Sequence, residues 1–186
     1  MENRSPFLIA IDGRCAAGKT TLTKKLSSVL NCSVVHMDHF FLRPEQRTKE
    51  RLAQAGGNVD RERFEKEVLK PLKAGKAFTY RAFDCHQMSM AEEIEIVPTP
   101  VVIIEGAYSC HPEFVQAWNL TIFVDIDKEE QLKRIENRNG KEQVPMFVNR
   151  WIPMEEAYFK EFQVKENCRL LLRQPMHGQY GNIEKY

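Results

Sequence analysis

The sequence predicts an α/β protein built as a doubly wound parallel sheet flanked by helices, and three observations lead there. Short aliphatic or β-branched runs of strand length recur at residues 7–11, 33–37, 101–104 and 121–124. Stretches with helical spacing fall between them, an alternation that favours crossover helices covering a parallel sheet. A glycine-flanked turn joins the first run directly to the first helical stretch.

Each helical stretch has its own signal. Residues 19–30 carry Leu22, Leu26, Val29 and Leu30 as one apolar stripe. Residues 62–72 place Phe64, Val68, Leu69 and Leu72 on one side, with Pro71 crowding the end. A third helix starts after Asp127, where Glu130 completes an Asp-x-x-Glu capping signature ahead of Leu132 and Ile135. A final helix over 154–172 is expected to pack onto the sheet through Tyr158 and Phe159, helped by Met146 and Trp151. Gly56-Gly57-Asn58 and residues 97–100 read as loops.

The bulk properties bound the function. A chain of 186 residues suits one domain, taken as 1–186. Lys and Arg number 27 against 26 Asp and Glu, a net charge of +1 that offers no broad attraction to nucleic acid or an anionic membrane. The expected partner is therefore a small molecule, with no nucleic acid and no membrane, and self-association is left open. Five cysteines without a C-x-x-C pair suit neither a disulfide framework nor a zinc site. With the first apolar run stopped by Asp12, a cytoplasmic location is expected.

Gly13-Arg14-Cys15-Ala16-Ala17-Gly18-Lys19-Thr20 fits G-x-x-x-x-G-K-[ST] at every fixed position, between a strand and a helix as the motif requires. Glycines let successive backbone N–H groups of Gly13, Ala16, Ala17, Gly18, Lys19, Thr20 and Thr21 face phosphates at a helix N-terminus. Lys19 would reach the β and γ oxygens, and the Thr20 hydroxyl would serve magnesium. ATP and Mg2+ are the cofactors this predicts.

In an open parallel sheet, chemistry collects outside the carboxyl ends of the strands, where Asp38, Glu105 and Asp125 follow apolar runs. Glu105, in Val-Val-Ile-Ile-Glu-Gly, is placed to hold magnesium opposite Thr20. Asp38 is the candidate general base for an acceptor hydroxyl; a carboxylate there would repel a phosphate acceptor and favours an alcohol. Asp125 also fits a loop or capping residue.

These residues together resemble the uridine kinase family of P-loop kinases, a group similar to phosphoribulokinase, pantothenate kinase and nicotinamide riboside kinase. The resemblance rests on the loop 13–20, on Met37-Asp38-His39-Phe40-Phe41, on residues 101–106 and on the arginine-rich stretch after the fourth strand. It implies a P-loop NTPase fold with a short arginine-containing lid, Asp38 as catalytic base and Glu105 on magnesium. It also places Asp60, in Asn58-Val59-Asp60, on ribose hydroxyls, and sets Phe40 and His86 beside the substrate. The Tyr80 to His86 segment departs from the family's base-contacting pattern, since Phe83 stands for a tyrosine and His86 is shifted. Arg134 and Arg138 fall in the stretch that resembles the lid, where planar guanidinium groups suit spreading phosphoryl charge.

The expected activity is phosphoryl transfer from ATP to a hydroxyl of a nucleoside-like acceptor, with Lys19, Asp38 and Arg138 as catalytic residues. Kinases of nicotinamide riboside, pantothenate or a sugar phosphate are the alternative, as is a nucleotide-dependent switch. A guanine-selective switch would need an Asn-Lys-x-Asp element, which the sequence lacks.

Overall fold

The computed structural model describes residues 5–173 and 183–185. Strands β1 (Phe7–Gly13), β2 (Ser33–His36), β5 (Val101–Glu105), β6 (Leu120–Asp125) and β7 (Leu170–Arg173) form a parallel sheet in the order β2-β5-β1-β6-β7. A short strand, β8 (Ile183–Lys185), adds antiparallel to β7. A separate hairpin, β3 (Phe78–Asp84) with β4 (Ser89–Ile96), stands off the sheet. The central strands are almost wholly buried, as a parallel sheet covered on both faces demands.

The register fixes the site. Ile11 pairs with Glu105 across β1 and β5, and His36 pairs with Glu105 across β2 and β5, so Glu105 ends its strand between two neighbours. Gly13 pairs with Val124, and a Cβ on Gly13 would lie 2.1 Å from the Val124 carbonyl oxygen. Only glycine lets β1 lie against β6 there and turn into the loop.

The helices agree with the sequence in place but not in every detail. Lys19–Leu30 packs through Leu22, Thr23 and Leu26, whereas Val29 is 82% exposed and Leu30 is also exposed: the last turn overruns the packed region. Residues 61–73 form one helix that buries Phe64, Val68, Leu69 and Leu72 as expected. Pro71 sits inside it, tolerated because the π turn Glu65–Leu69 widens the hydrogen bonding just ahead of it. Asp127 caps Lys128–Asn139 by accepting from Glu129 N, but no capping box forms, because Glu130 pairs with Arg134 Nε at 2.8 Å instead.

The last helix is corrected most. It ends at Phe162, where Gln163 adopts φ 47°, and Leu170, Leu171 and Leu172 leave it to form β7 beside β6. Three consecutive leucines fit either period, and parallel pairing with buried Ile122, Phe123 and Val124 decides for the strand. Tyr158 and Phe159 are buried as expected, but Met146 is exposed and Trp151 faces a cavity instead of the sheet. The β3/β4 hairpin carries no clear apolar alternation on β4, which hid it in the sequence.

One polar group ties these layers. Asp12, wholly buried at the end of β1, accepts from Gly13 N, Tyr108 N, Cys110 N and the Tyr158 hydroxyl at 2.7–3.2 Å. Burial pushes its carboxyl pKa up, while the Cys110 and Gly13 amides, Lys19 and the Tyr158 hydroxyl oppose the rise. Asp12→Asn would set an amide N–H against two of those donors, so we expect a loss of about 2–4 kcal/mol in urea unfolding, against about 1 kcal/mol for Tyr158→Phe.

Candidate active site

The carboxyl ends of β1, β2 and β5 open into a cavity of about 740 Å³. The loop after β1 enters it in a strained curl, with Ala16 at φ 59° and Gly18 at φ 92°. Lys19 Nζ donates to the carbonyl oxygens of Gly13 at 2.7 Å and Arg14 at 2.9 Å, which holds the ammonium across the loop mouth. Ala16, Gly18, Lys19, Thr20 and Thr21 line the cavity. Gly13 and Ala17 do not: Gly13 is wedged against Val124, and Ala17 buries its methyl and donates its N–H to the Arg14 carbonyl. Those two residues shape the loop from behind.

The carboxylates divide by partner. The Thr20 hydroxyl donates to Glu105 Oε1 at 3.3 Å, and His36 Nδ1 lies 2.6 Å from the same oxygen. Among the described residues no cluster of three or more His, Cys, Asp or Glu could hold a metal ion by itself. Thr20 and Glu105 form a sparse set of hard oxygen donors, which fits a magnesium ion that keeps its remaining positions for phosphate and water. Asp38, two residues beyond β2, projects into the same cavity, where Gly106 makes room for it: a Cβ there would lie 3.1 Å from Asp38 Oδ1. Asp38 stays open to solvent on the cavity side while protein packs around the rest of it. That confinement pushes its pKa up; Lys19 pulls it down, Glu105 raises it, and His36 and Arg138 lower it. The upward shift applies best to the cavity filled and closed to water.

Asp125 takes no part. It is paired with Arg14 and with Lys165 Nζ at 2.7 Å, and it accepts from Ile126 N, a network that braces the back of the loop.

Arg134 and Arg138 reach the cavity from Lys128–Asn139, and Arg150 and Trp151 reach it from the following helix. Arg138 lies 5.9 Å over the Phe147 ring, and Arg150 lies 4.7 Å over Trp151. His86 and Cys85 also line the cavity, from the tip of the β3/β4 hairpin.

Two sequence-derived substrate contacts do not reach the cavity. Phe40 is fully buried among Phe64, Tyr80 and the Arg63 guanidinium, and its neighbour Phe41 lines the wall instead. Asp60 is consumed as a helix cap: it accepts from Arg63 N at 3.0 Å and from Gln46 Nε2 at 2.8 Å. Residues that sequence reasoning passed over line the cavity in their place, among them Arg47, Asn58, Tyr108 and Glu155. Asn58 stands in the same three-residue segment as Asp60, so the segment was legible and the residue within it was not.

A parallel sheet whose central strand feeds such a loop into a helix N-terminus defines a P-loop phosphate-binding protein of the α/β class. The chain belongs to the phosphoribulokinase/uridine kinase family, whose model matches residues 8–143. It is 26% identical over 181 residues to uridine-cytidine kinase 2-B of Danio rerio, covering 86% of this chain and 69% of that protein. It is 27% identical over 186 residues to the uridine kinase of Chlamydia pneumoniae, covering 94% and 82%. The structure of a possible uridine kinase from Bacillus stearothermophilus superposes with a TM-score of 0.67 at 19% identity, over 92% of this chain and 90% of the other, which shows the shared fold. The family makes the chain a phosphotransferase with an alcohol group of a small molecule as acceptor. No helix among the described residues is long and apolar enough to cross a membrane.

Glu155 generates a testable consequence. Its buried carboxylate accepts from Cys15 N at 3.0 Å, and burial raises its pKa to about 7 despite Lys19. A group raised in the fold gives stability that is complete below the ordinary value near 4.5 and lost as pH rises through about 7. Glu155→Gln keeps an acceptor for Cys15 N and removes that loss. Relative to the unaltered protein, it should gain up to about 3 kcal/mol between pH 5 and pH 8 in denaturant unfolding.

Proposed function

We propose that the protein is a magnesium- and ATP-dependent kinase that phosphorylates a hydroxyl of a nucleoside-like alcohol. One observation carries the reading: Asp38 opens onto the same cavity as the Lys19 loop and the Thr20–Glu105 pair, with Arg138 close enough to lower its pKa. ATP with magnesium would supply the γ-phosphoryl group and offset its charge.

The chain's own groups divide the work. The loop amides and Lys19 orient the phosphates, and Thr20 with Glu105 holds the cation. Asp38 accepts the proton of the acceptor hydroxyl as that oxygen bonds to phosphorus and the bond to the leaving oxygen breaks. Arg134 and Arg138 face the cavity from the lid side, where they would neutralise charge gathering on the transferring group. Uridine or cytidine is the first acceptor to try, since the relatives that match carry those names.

A coupled ADP-release assay over a panel of nucleosides and other small alcohols tests this. An active acceptor should raise turnover far above the rate without acceptor, and Asp38→Asn should lower kcat by about 10²–10⁴-fold while the KM for ATP moves little. Turnover by Asp38→Asn equal to that of the unaltered protein would remove Asp38 as base. Because the unprotonated carboxylate is the working form and its pKa is raised in the filled cavity, kcat should fall on the acid side with a midpoint above the usual aspartate range. Chelating magnesium should abolish turnover.

A further inference from the structure

The pair of residues that fits the cation has a neighbour outside the cavity. His36 is the last residue of β2, and its register partner on β5 is Glu105, so the two side chains stand on the same face of the sheet, one strand spacing apart. His36 Nδ1 lies 2.6 Å from Glu105 Oε1, a short contact to a charged acceptor. A carboxylate only accepts, so the hydrogen is on Nδ1 and His36 donates. The His36 ring does not line the cavity, whereas Glu105 does. His36 therefore reaches the carboxylate without competing for the space a ligand would use.

Glu105 needs such a group. A glutamate has several free torsions, the last of them broad, and a carboxylate left to rotate offers its oxygens to a cation only part of the time. The Thr20 hydroxyl donates to it at 3.3 Å and 3.5 Å, beyond the usual length of an O–H···O bond. That hydroxyl oxygen is also committed to the cation, so it cannot be what orients Glu105 when the site is in use. His36 is the remaining side-chain partner of Glu105 among the described residues. The imidazole is itself held: the His39 ring packs against it with centroids 5.2 Å apart, and His39 Nδ1 lies 3.0 Å from the hydroxyl of buried Tyr80 on β3. A ligand, a donor to that ligand and a brace for that donor thus follow one another from β5 through β2 to the hairpin.

We propose that His36 is a positioning residue for the divalent cation: it orients the Glu105 carboxylate through the Nδ1–H bond and so raises the affinity of the nucleotide-bound site for magnesium. This rests on the reading above of Thr20 and Glu105 as the pair that holds the cation. His36 touches neither the cation nor the acceptor, so its removal acts through Glu105 alone. Partners that orient a metal ligand in this way are worth about 10–100-fold in metal affinity.

The test reads metal binding directly. With the protein saturated by a non-hydrolysable ATP analogue, free Mn2+ is measured by electron paramagnetic resonance as a stand-in for magnesium, and the affinity for the analogue alone is measured by calorimetry in EDTA. His36→Ala should weaken Mn2+ binding by about 10–100-fold and leave the affinity for the analogue in EDTA unchanged, which also reports an intact fold. His36→Asn, whose Nδ2 can stand where Nδ1 stood, should recover most of that loss. Glu105→Gln should weaken Mn2+ binding as well, and adding His36→Ala to it should cost nothing more, because both act through one carboxylate. Four results each overturn the positioning role: Mn2+ affinity unmoved by His36→Ala, a loss that His36→Asn does not recover, a loss matched by that of the analogue in EDTA, or losses that add in the double variant. Mn2+ held as tightly by Glu105→Gln as by the unaltered protein overturns the assignment of the cation to Glu105, and this inference with it.

Discussion

Four hydrogen bonds to a carboxylate out of reach of water tie together three of the segments that build the site. Asp12 receives the first N–H of the phosphate-binding loop, two N–H groups of the segment after β5, and a hydroxyl from the last long helix. Each of those segments carries something the cavity needs: Lys19 and Thr20 on the loop, Tyr108 after β5, and Glu155 one turn before Tyr158. A buried charge held by several donors is rigid because any departure leaves donor and acceptor unpaired in a medium that cannot solvate them. Asp12 does not itself line the cavity, yet it braces segments that do.

The division of the carboxylates follows the same logic. Five acidic side chains lie on or behind the cavity, and four have protein partners that fix them: Asp12 on backbone amides, Glu105 on Thr20 and His36, Asp125 on Arg14 and Lys165, and Glu155 on Cys15 N. Asp38 alone projects into the cavity without such a bond. A base must be free to take a proton, so the residue with the fewest commitments is the one the chemistry can use.

Much of this was legible in the sequence because it is set locally. The loop 13–20 announces itself through residue types whose backbone and charge properties are specific, and the apolar runs mark the strands whose carboxyl ends converge. Asp38 and Glu105 could be named from their place just after such runs. What could not be read depends on contacts distant in sequence. Whether Asp60 or Asn58 faces the cavity is decided by the cap that Asp60 makes with Arg63 N, and whether Phe40 or Phe41 does is decided by packing against Phe64 and Tyr80. Leu170 to Leu172 took the strand form only because β6 offered an edge. Arg47 and Glu155 carry no motif, and only the folded chain brings them to the cavity.

The central claim is that one cavity brings a phosphoryl donor on the loop together with an acceptor hydroxyl on Asp38. A crystal structure with a non-hydrolysable ATP analogue, magnesium and a turned-over acceptor tests it most directly. The account predicts the acceptor oxygen at about 2.6–3.2 Å from an Asp38 carboxylate oxygen and in line with the γ-phosphorus. An Asp38 side chain turned onto the metal, or an acceptor bound away from it, would contradict the account.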